Sequence, residues 1–230
     1  MSPVNVRTDR KDGKDVATFP VRKDDVWIVS YPRAGVWLQD LIYLLLEGGD
    51  LNTTDLSLES VEDSIPFLEA PSPGMELLKT LPSPRYIKSH LPLRTAARGR
   101  QEQRMQGKRK KVIYITRNPK DVMCSFYDFH RTVRMVHYKG TFHQFFYRFI
   151  NINVRLGFTF MGYGSYFRHV LEWWEQRKDN NLLFLKYEDV RQDIRSSIEQ
   201  LANFLERPLT PAALKSIYTH FEEEAAYNRK

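Results

Sequence analysis

Four short apolar runs along the chain predict buried β-strands. Three of them are nearly continuous in valine, isoleucine, leucine and aromatic residues, as expected where both faces of a sheet are covered. The four predicted strands are Val26–Tyr31, Arg85–Lys88, Val112–Thr116 and Leu182–Lys186. Helical patterns separate these runs, and strands that alternate with helices predict an α/β fold of three layers with a mainly parallel central sheet.

Helix-starting residues follow the first and third strands. A helix is predicted over Val36–Glu47, directly after the first strand. After the third strand, Asn118 is a good N-cap and Pro119 suits the first helical position. We therefore expect a second helix to begin there.

Further helices are predicted later in the chain. Thr141 and Ser165 are expected to cap two of them. The helix after Ser165 would carry an apolar face made of Phe167, Val170, Leu171 and Trp174. Beyond the fourth strand, apolar residues recur every three or four positions, and a last helix starts at Thr210-Pro211. The recurring residues are Val190, Ile194, Ile198, Leu201 and Leu205.

Length and composition fit one globular domain. The chain has 230 residues, of which 42% are hydrophobic and 27% charged, which excludes a wholly disordered, low-complexity or collagen-like protein. No segment approaches the ~18–20 apolar residues of a membrane span. We expect a polar, flexible tail over residues 1–16 and a single domain over 17–230. Glycine and prolines between residues 71 and 84 indicate a loop-rich connection rather than a domain boundary.

Cysteine usage bears on compartment and metal chemistry. The single cysteine, Cys124, forms no intramolecular disulfide and anchors no multi-cysteine metal site. No cluster of histidine, cysteine and carboxylate residues has metal-ligand spacing, so no metal is predicted. A reducing compartment is expected, and we predict a cytoplasmic protein.

The net charge of +7 comes mostly from one stretch. Between Arg98 and Lys111, seven lysines and arginines stand against the single acid Glu102. Glycines and glutamines accompany them and no aromatic residue is interleaved, so we interpret the stretch as a solvated surface loop. We expect neither a nucleic-acid partner nor a membrane partner.

Candidate chemistry follows the ends of the first two strands, because open parallel sheets bind ligands at the carboxyl ends of their strands. Arg33 and Gly35 stand in a short turn that runs into a helix, where backbone N–H groups can hold a phosphate. The alternative is an ordinary turn with Trp37 in the core. His90 follows the second strand and is either a general base, since its ordinary pKa lies near neutrality, or a structural histidine.

The third and fourth strands add further polar groups. Arg117 follows the third strand, and Ser125 lies two turns into the next helix. A guanidinium matches phosphate oxygens and a hydroxyl adds a donor, although Arg117 could also simply pair with Asp121. Tyr187 follows the fourth strand and either reaches the same crevice or packs in the core. Two cationic groups at separate strand ends suit a ligand with two phosphate groups some distance apart.

These residues resemble those of the cytosolic sulfotransferases, which take sulfuryl from 3′-phosphoadenosine-5′-phosphosulfate (PAPS). The likeness is strongest to the brain-type orphan branch, family four, and runs from Phe19 through Leu205. It implies a P-loop-type nucleotide fold. The family's first loop reads Tyr-Pro-Lys-Ser-Gly-Thr-Thr-Trp and binds the 5′-phosphosulfate. The residues that stand there are Arg33, Ala34, Gly35 and Val36, followed by Trp37, which would lie against adenine.

The resemblance also implies a catalytic set. The stretch Lys-Ser-His-Leu-Pro matches the family's catalytic base, which maps to His90 with Lys88 beside it. With Arg33 these are the expected catalytic residues. The family's 3′-phosphate contacts map to Arg117 and Ser125, and its tyrosine near adenine maps to Tyr187. The implied reaction moves sulfuryl from PAPS to a hydroxyl or amine of a small-molecule acceptor, with no metal.

Three departures from the family pattern bear on activity. In the first loop, arginine replaces lysine, Ala34 and Val36 remove hydroxyls, and one residue is missing before Trp37. Residues 153–161 look like an insertion. The chain stops at Lys230, before the family's Arg-Lys-Gly clamp on the 3′-phosphate and its dimer motif, so we expect a C-terminally truncated chain without the family-type homodimer.

Two other functions compete with sulfuryl transfer. A catalytically impaired pseudo-sulfotransferase would keep the fold and act through nucleotide or protein binding, and the altered loop favours it. A kinase or another nucleotide-binding protein is disfavoured, because the chain has neither the glycine-rich G-x-x-x-x-G-K-[ST] loop nor evident magnesium ligands.

Overall fold

The computed structural model describes residues 19–51, 53–70, 74–93, 110–133, 138–151 and 163–227. Four strands lie in these ranges: β1 (Val26–Ser30), β2 (Tyr86–Ser89), β3 (Lys111–Thr116) and β4 (Leu182–Lys186). The helices there are α1 (Val36–Leu46), α2 (Leu58–Ser64), α3 (Gly74–Thr80), α4 (Pro119–Thr132), α5 (Phe142–Ile150), α6 (Tyr166–Glu175), α7 (Tyr187–Gln192), α8 (Ile194–Leu205) and α9 (Pro211–Tyr227).

Some of the sequence-based expectations fall outside these ranges. They concern the tail over residues 1–16, most of the basic stretch, the insertion at 153–161 and the end of the chain. The single domain over 17–230 also stays a prediction.

The four strands form one sheet in the order β2-β1-β3-β4, and every pairing is parallel. In this register Val29 lies beside Ser89, Ile28 beside Ile113, and Ile113 beside Leu183. The predicted strands are confirmed to within one residue at each end. All four carboxyl ends therefore lie along the same edge of the sheet, where the candidate site was expected.

Both faces of the sheet are covered, which gives the three layers predicted. Alternate residues of β1 point to opposite sides: Val26 and Ile28 pack in one buried cluster with α1, α7, α8 and α9. Trp27 and Val29 pack in a second cluster, together with Trp173 of α6. This burial on two sides explains why the strands have continuous apolar sequences.

The helix caps lie where the sequence places them. The Asn118 side chain accepts a hydrogen bond from the Lys120 N–H (2.9 Å), and Pro119 is the first residue of α4. Thr141 and Gln144 form a reciprocal capping box at α5. Ser165 caps α6, and α9 begins at Pro211 as predicted. Local side chain–backbone bonds of this kind do not depend on the rest of the fold.

The apolar side predicted for α6 is mostly exposed, and only its Val170 packs against the core. Phe167 and Leu171 are 42% and 58% exposed, and Trp174 is also exposed. The helix instead buries Tyr166, His169 and Trp173. The buried side is aromatic and polar because His169 forms hydrogen bonds there, as described below. These hydrogen bonds offset the free-energy cost of removing a polar imidazole from water, which is why a histidine can be buried there.

Two helices were not predicted, and one apolar run is divided. The connection between residues 71 and 84 contains α3, which buries Leu78. Earlier in the chain, α2 begins after Ser57, whose side chain caps it.

The apolar run from Val190 to Leu205 does not form one helix, because it divides at Asp193 into α7 and α8. Within the described residues, no helix is long and apolar enough to cross a membrane.

A buried ion pair joins the start of the described chain to the sheet. The Arg85 guanidinium donates from Nε and Nη2 to the Asp25 carboxylate (2.8 and 2.7 Å). It also donates to the carbonyl oxygens of Leu78 and Pro20, and it lies over the Phe19 ring. β2 begins at Tyr86, so Arg85 lies one residue before the strand and the predicted boundary is wrong by one residue.

Candidate active site

The turn between β1 and α1 is shaped by a close approach of backbone to side chains. A Cβ atom on Gly35 would lie 2.8 Å from Ile115 and 2.8 Å from Ser30, so only glycine fits there. The Ala34 N–H donates to the Tyr31 carbonyl oxygen (3.1 Å) and closes the turn. Val36 then begins α1 directly after β1, so the N-terminus of this helix lies at the carboxyl edge of the sheet.

Arg33 reaches across the site to the helix that follows β3. Its φ of 69° lies in the left-handed region, which is uncommon for a residue other than glycine. Its Nε donates to the Ser125 hydroxyl (3.0 Å), and its guanidinium lies over the Phe129 ring. Burial and the nearby charge of Arg117 lower the pKa of Arg33. The structure thus brings two cationic groups and one hydroxyl together.

An aromatic cluster lies beside these cations. Arg117 packs over the Tyr187 ring at 4.6 Å, which in turn contacts Trp37 (6.3 Å between ring centroids). The Trp37 ring also meets Phe221 of α9 edge-on at 4.9 Å. In the part of the chain that the structure describes, the buried atoms Arg117 Nε and Trp37 Nε1 have no hydrogen-bond partner. Buried unpaired donors of this kind fit a ligand rich in acceptor atoms.

His90 emerges from the end of β2 into the same edge. Its ring Nδ1 donates to the Ser30 carbonyl oxygen (2.7 Å), because a carbonyl only accepts. In the neutral ring Nε2 then carries the lone pair. Burial and the Lys88 charge lower the pKa of His90 to about 3, so the ring is neutral at pH 7. The rings of Phe67 (4.9 Å) and Tyr163 (5.3 Å) flank it.

Lys88 belongs to β2 and lies two residues before His90. Its Nζ donates to Gln39 of α1 (2.6 Å), and it lies 5.6 Å from the centre of the Phe67 ring. Burial lowers its pKa, and the carboxylates Glu62, Asp40 and Glu69 partly oppose that shift. The positive charge of Lys88 also helps to lower the pKa of His90.

Sequence reasoning missed a carboxyl group at this site. Glu69 Oε1 accepts a hydrogen bond from the Ser89 hydroxyl (2.5 Å), and both carboxyl oxygens lie 3.3 Å from the His90 backbone N. Burial raises the pKa of Glu69 to about 7, and these hydrogen bonds partly oppose the rise. Its position comes from pairing of the chain around Phe67 with β2, which no local sequence pattern signals.

Phe221, Phe67 and Tyr163 were also missed. Phe221 belongs to a helix whose start was predicted, but its contact with Trp37 depends on how α9 packs. Of the predicted site residues, Arg33, Arg117 and Ser125 come together, and Trp37 and Tyr187 lie against them. His90 and Lys88 are brought together at β2. Their roles stay predictions.

A cavity of about 420 Å³ lies elsewhere, along the outer edge of β4. It is lined by parts of β4, α6, α7 and α8, and none of the predicted site residues lines it. The described residues contain no group of three or more histidine, cysteine, aspartate or glutamate side chains that could hold a metal ion.

Comparison with known proteins identifies the family. A model of the sulfotransferase domain matches residues 23–228. The chain belongs to the sulfotransferase family. This sulfotransferase is 45% identical over 208 residues to Sulfotransferase 4A1 of Mus musculus, an alignment that covers 90% of this chain and 68% of the relative. The predicted resemblance to the cytosolic sulfotransferases, and to family four among them, is confirmed.

Solved structures agree with the sulfotransferase fold. Retinol dehydratase in complex with androsterone and the inactive cofactor PAP has a TM-score of 0.71 at 25% identity, covering 91% of this chain and 68% of that one. Mouse sulfotransferase SULT7A1 complexed with PAP has a TM-score of 0.69 at 26% identity, covering 92% and 69%. The predicted α/β fold is thus confirmed, and the family is one of enzymes that use PAPS as sulfuryl donor.

Proposed function

We propose that this sulfotransferase moves sulfuryl from PAPS to a hydroxyl or amine of a small acceptor, with His90 as general base. The observation that carries the proposal is the state of the His90 ring. Its Nδ1–H donates to the Ser30 carbonyl oxygen, so the lone pair lies on Nε2. Arg33 and Arg117, which lie near each other, follow strands that end at the same carboxyl edge of the sheet. We assign the reaction to the cytoplasm, as for other cytosolic members of the family.

Charge and burial support nucleotide binding at this edge. Arg33, Arg117 and Ser125 supply charge-assisted donors for phosphate oxygens. The unpaired Nε of Arg117 suits the 3′-phosphate, and the aromatic cluster with Trp37 and Tyr187 suits the adenine. Two related structures are described as complexes with PAP, the desulfonated product of PAPS, which supports the same donor here.

The transfer step follows from these positions. The acceptor oxygen attacks the sulfur in line while its proton passes to His90 Nε2. The bond between sulfur and the bridging oxygen breaks, and the electron pair leaves with the 5′-phosphate of PAP. Arg33 and the N–H groups at the start of α1 stabilise that charge. The negative donor would raise the low pKa of His90, because an opposite charge favours the protonated ring.

The surroundings of His90 bear on the acceptor. The Phe67 ring lies tilted against the His90 ring, and the Tyr163 ring meets it edge to face. The buried hydroxyl of Tyr163 has no hydrogen-bond partner among the described residues. Aromatic walls with one polar group favour a small aromatic acceptor such as a phenol.

A second function is favoured by one observation. The Arg33 side chain is already bonded to Ser125 and packed on Phe129, within a loop that has lost two hydroxyls. A chain in which this contact persists would bind nucleotide without transferring sulfuryl, as a pseudo-sulfotransferase.

Transfer of radiolabelled sulfate from PAPS to a panel of phenols separates the two functions. We expect slow transfer by the parent and none by His90→Ala, which should still bind PAP within about twofold because the base contacts the acceptor. PAP binding without any transfer by the parent would support the pseudo-sulfotransferase. Unchanged turnover in His90→Ala would exclude His90 as the base.

A further inference from the structure

The polar groups of His90 are held from three sides. Ser30 accepts from the ring Nδ1–H, as described above. Glu69 accepts from the backbone N–H that precedes the His90 Cα. On the other side of the Cα, the His90 carbonyl oxygen accepts a hydrogen bond from His169 Nε2 (3.1 Å). The three contacts come from β1, the segment before α3, and α6.

His169 is itself fixed by β3. Because its Nε2 donates to a carbonyl, its Nδ1 accepts, and the partner is the Tyr114 hydroxyl (2.9 Å). The ring is 2% exposed, stacks on Tyr114 and meets the edge of Tyr31. Burial lowers the pKa of His169 to about 4, and burial raises that of Tyr114, so both groups stay neutral in this arrangement.

Glu69 is fixed by the same strand end. It is bonded to the Ser89 hydroxyl, which in turn accepts from the Leu91 N–H (3.1 Å) and so closes the turn around His90. Lys88 and Tyr163 are the other titratable groups that act on this carboxyl group. In the described part of the chain, Glu69 and His169 hydrogen-bond to the peptide groups of His90 and not to its ring.

We propose that Glu69 and His169 are positioning residues for His90, which hold the peptide groups before and after it and thereby direct Nε2 toward the acceptor. The proposal rests on His90 being the base of the proposed transfer. A role in packing alone would leave the orientation of the His90 ring unchanged when either residue is replaced. If the two residues position His90, variants that remove either hydrogen bond should lose the fixed orientation of the His90 ring and still bind the nucleotide.

Matched variants at each position separate positioning from packing. Glu69→Leu removes the acceptor, whereas Glu69→Gln keeps one amide oxygen for Ser89 and His90. His169→Asn is too short to reach the His90 carbonyl, whereas His169→Gln places an amide N–H near the position of Nε2. Trp173→Phe changes the same buried face of α6 without touching His90 and serves as the packing control.

Nitrogen-15 spectra of the imidazoles give a readout that does not need turnover. The parent is expected to show His90 locked as the Nδ1–H tautomer, and PAP titration verifies folding in every variant. Glu69→Leu and His169→Asn should show mixed tautomers at His90, with PAP affinity within about twofold of the parent. Glu69→Gln, His169→Gln and Trp173→Phe should stay locked. A locked ring in both Glu69→Leu and His169→Asn would overturn the proposal.

Turnover provides the second readout. The two disruptive variants should lose kcat by ~10- to 100-fold with little change in the KM for the acceptor, since misplacement of a catalytic group by about 1 Å can cost that much. The two conservative variants should recover most of the loss. A parent that transfers no sulfuryl would contradict the proposed function, while the tautomer readout would still support or overturn positioning. If His169→Asn does not fold, Tyr114→Phe loosens His169 more mildly and must give mixed tautomers.

Discussion

His90, His169 and Glu69 lie together near the end of β2, and burial changes their pKa values in opposite directions. The pKa of His90 falls to about 3 and that of His169 to about 4, whereas that of Glu69 rises to about 7. In each case burial penalises the charged form. The three shifts make separate contributions to the pH dependence of stability.

The signs of these contributions differ. Below the ordinary histidine pKa of 6.5, His90 and His169 bind protons in the unfolded chain but stay neutral in the folded protein. Acidification therefore lowers the free energy of unfolding. Between pH 4.5 and about 7, folded Glu69 keeps a proton that the unfolded chain releases, so acidification raises the free energy of unfolding. Glu69 therefore offsets part of the histidine effect between pH 6.5 and 4.5.

Glu69→Gln should remove this offset. We expect its free energy of unfolding to fall more steeply on acidification through that window than in the parent, by up to ~1.4 kcal/mol per pH unit. Urea unfolding at successive pH values measures both slopes. Glu76→Gln, which alters an exposed carboxyl group on α3, should keep the parent slope. Equal slopes for the parent and Glu69→Gln would contradict the raised pKa.

Arg117→Ala should weaken PAP binding by ~10- to 100-fold, because a hydrogen bond to a charged group contributes ~1.5–3 kcal/mol. Calorimetric titration measures the affinity. Arg195→Ala removes the same charge from an exposed side chain of α8 and should bind like the parent. If both variants bind PAP equally, Arg117 does not contact the nucleotide.

At the scale of elements, the turn from β1 to α1 depends on the missing side chain of Gly35. Gly35→Ala should destabilise the protein by ~1–3 kcal/mol, because the new Cβ would overlap Ser30 and Ile115. It should also weaken PAP binding, since the start of α1 must shift. Denaturation and titration measure the two effects.

Gly48→Ala is the control for this prediction. Gly48 has a φ of +74° and open space where the Cβ would lie. The cost there is backbone strain alone, roughly 1–2 kcal/mol, with PAP affinity unchanged. A Gly35→Ala protein that binds PAP like the parent would show that the turn tolerates the shift.

Strands and caps could be predicted because their signals are local. Residues 112–115 are aliphatic or aromatic because β3 is covered on both faces, and Asn118 caps α4 with its own side chain. The buried face of α6 could not be predicted, since His169 is buried only because Tyr114 and His90 offer partners. Arg33, His90 and Arg117 could be predicted at the site because each follows a predicted strand. Glu69 could not, because it reaches the site only through the bridge between Phe67 and Lys88 of β2.

At the scale of the whole molecule, the ion pair between Asp25 and Arg85 joins segments 60 residues apart. Both side chains are almost fully buried. Arg85→Leu should cost ~3–5 kcal/mol in the free energy of unfolding, because the Asp25 charge would be left buried without its partner. Urea unfolding measures the loss.

The double variant Asp25→Leu/Arg85→Met tests the cause. It removes both charges and should recover much of the loss, although the Arg22 N–H that donates to Asp25 loses its acceptor. A double variant as unstable as Arg85→Leu would show that packing, not the unpaired charge, accounts for the cost.

The all-parallel sheet also constrains how the core can assemble during synthesis. Each pairing joins strands that are far apart in sequence. β1 can pair only after β2, and then β3, have been synthesised, and β4 begins some seventy residues after the start of β3. None of the four described strands forms a hairpin with the next, so most pairings form only after a long loop has closed, at a cost in entropy. A chain leaving the ribosome therefore leaves the β3-facing edge of β1 unpaired until β3 has emerged, and an unpaired edge of this kind promotes aggregation of the nascent protein.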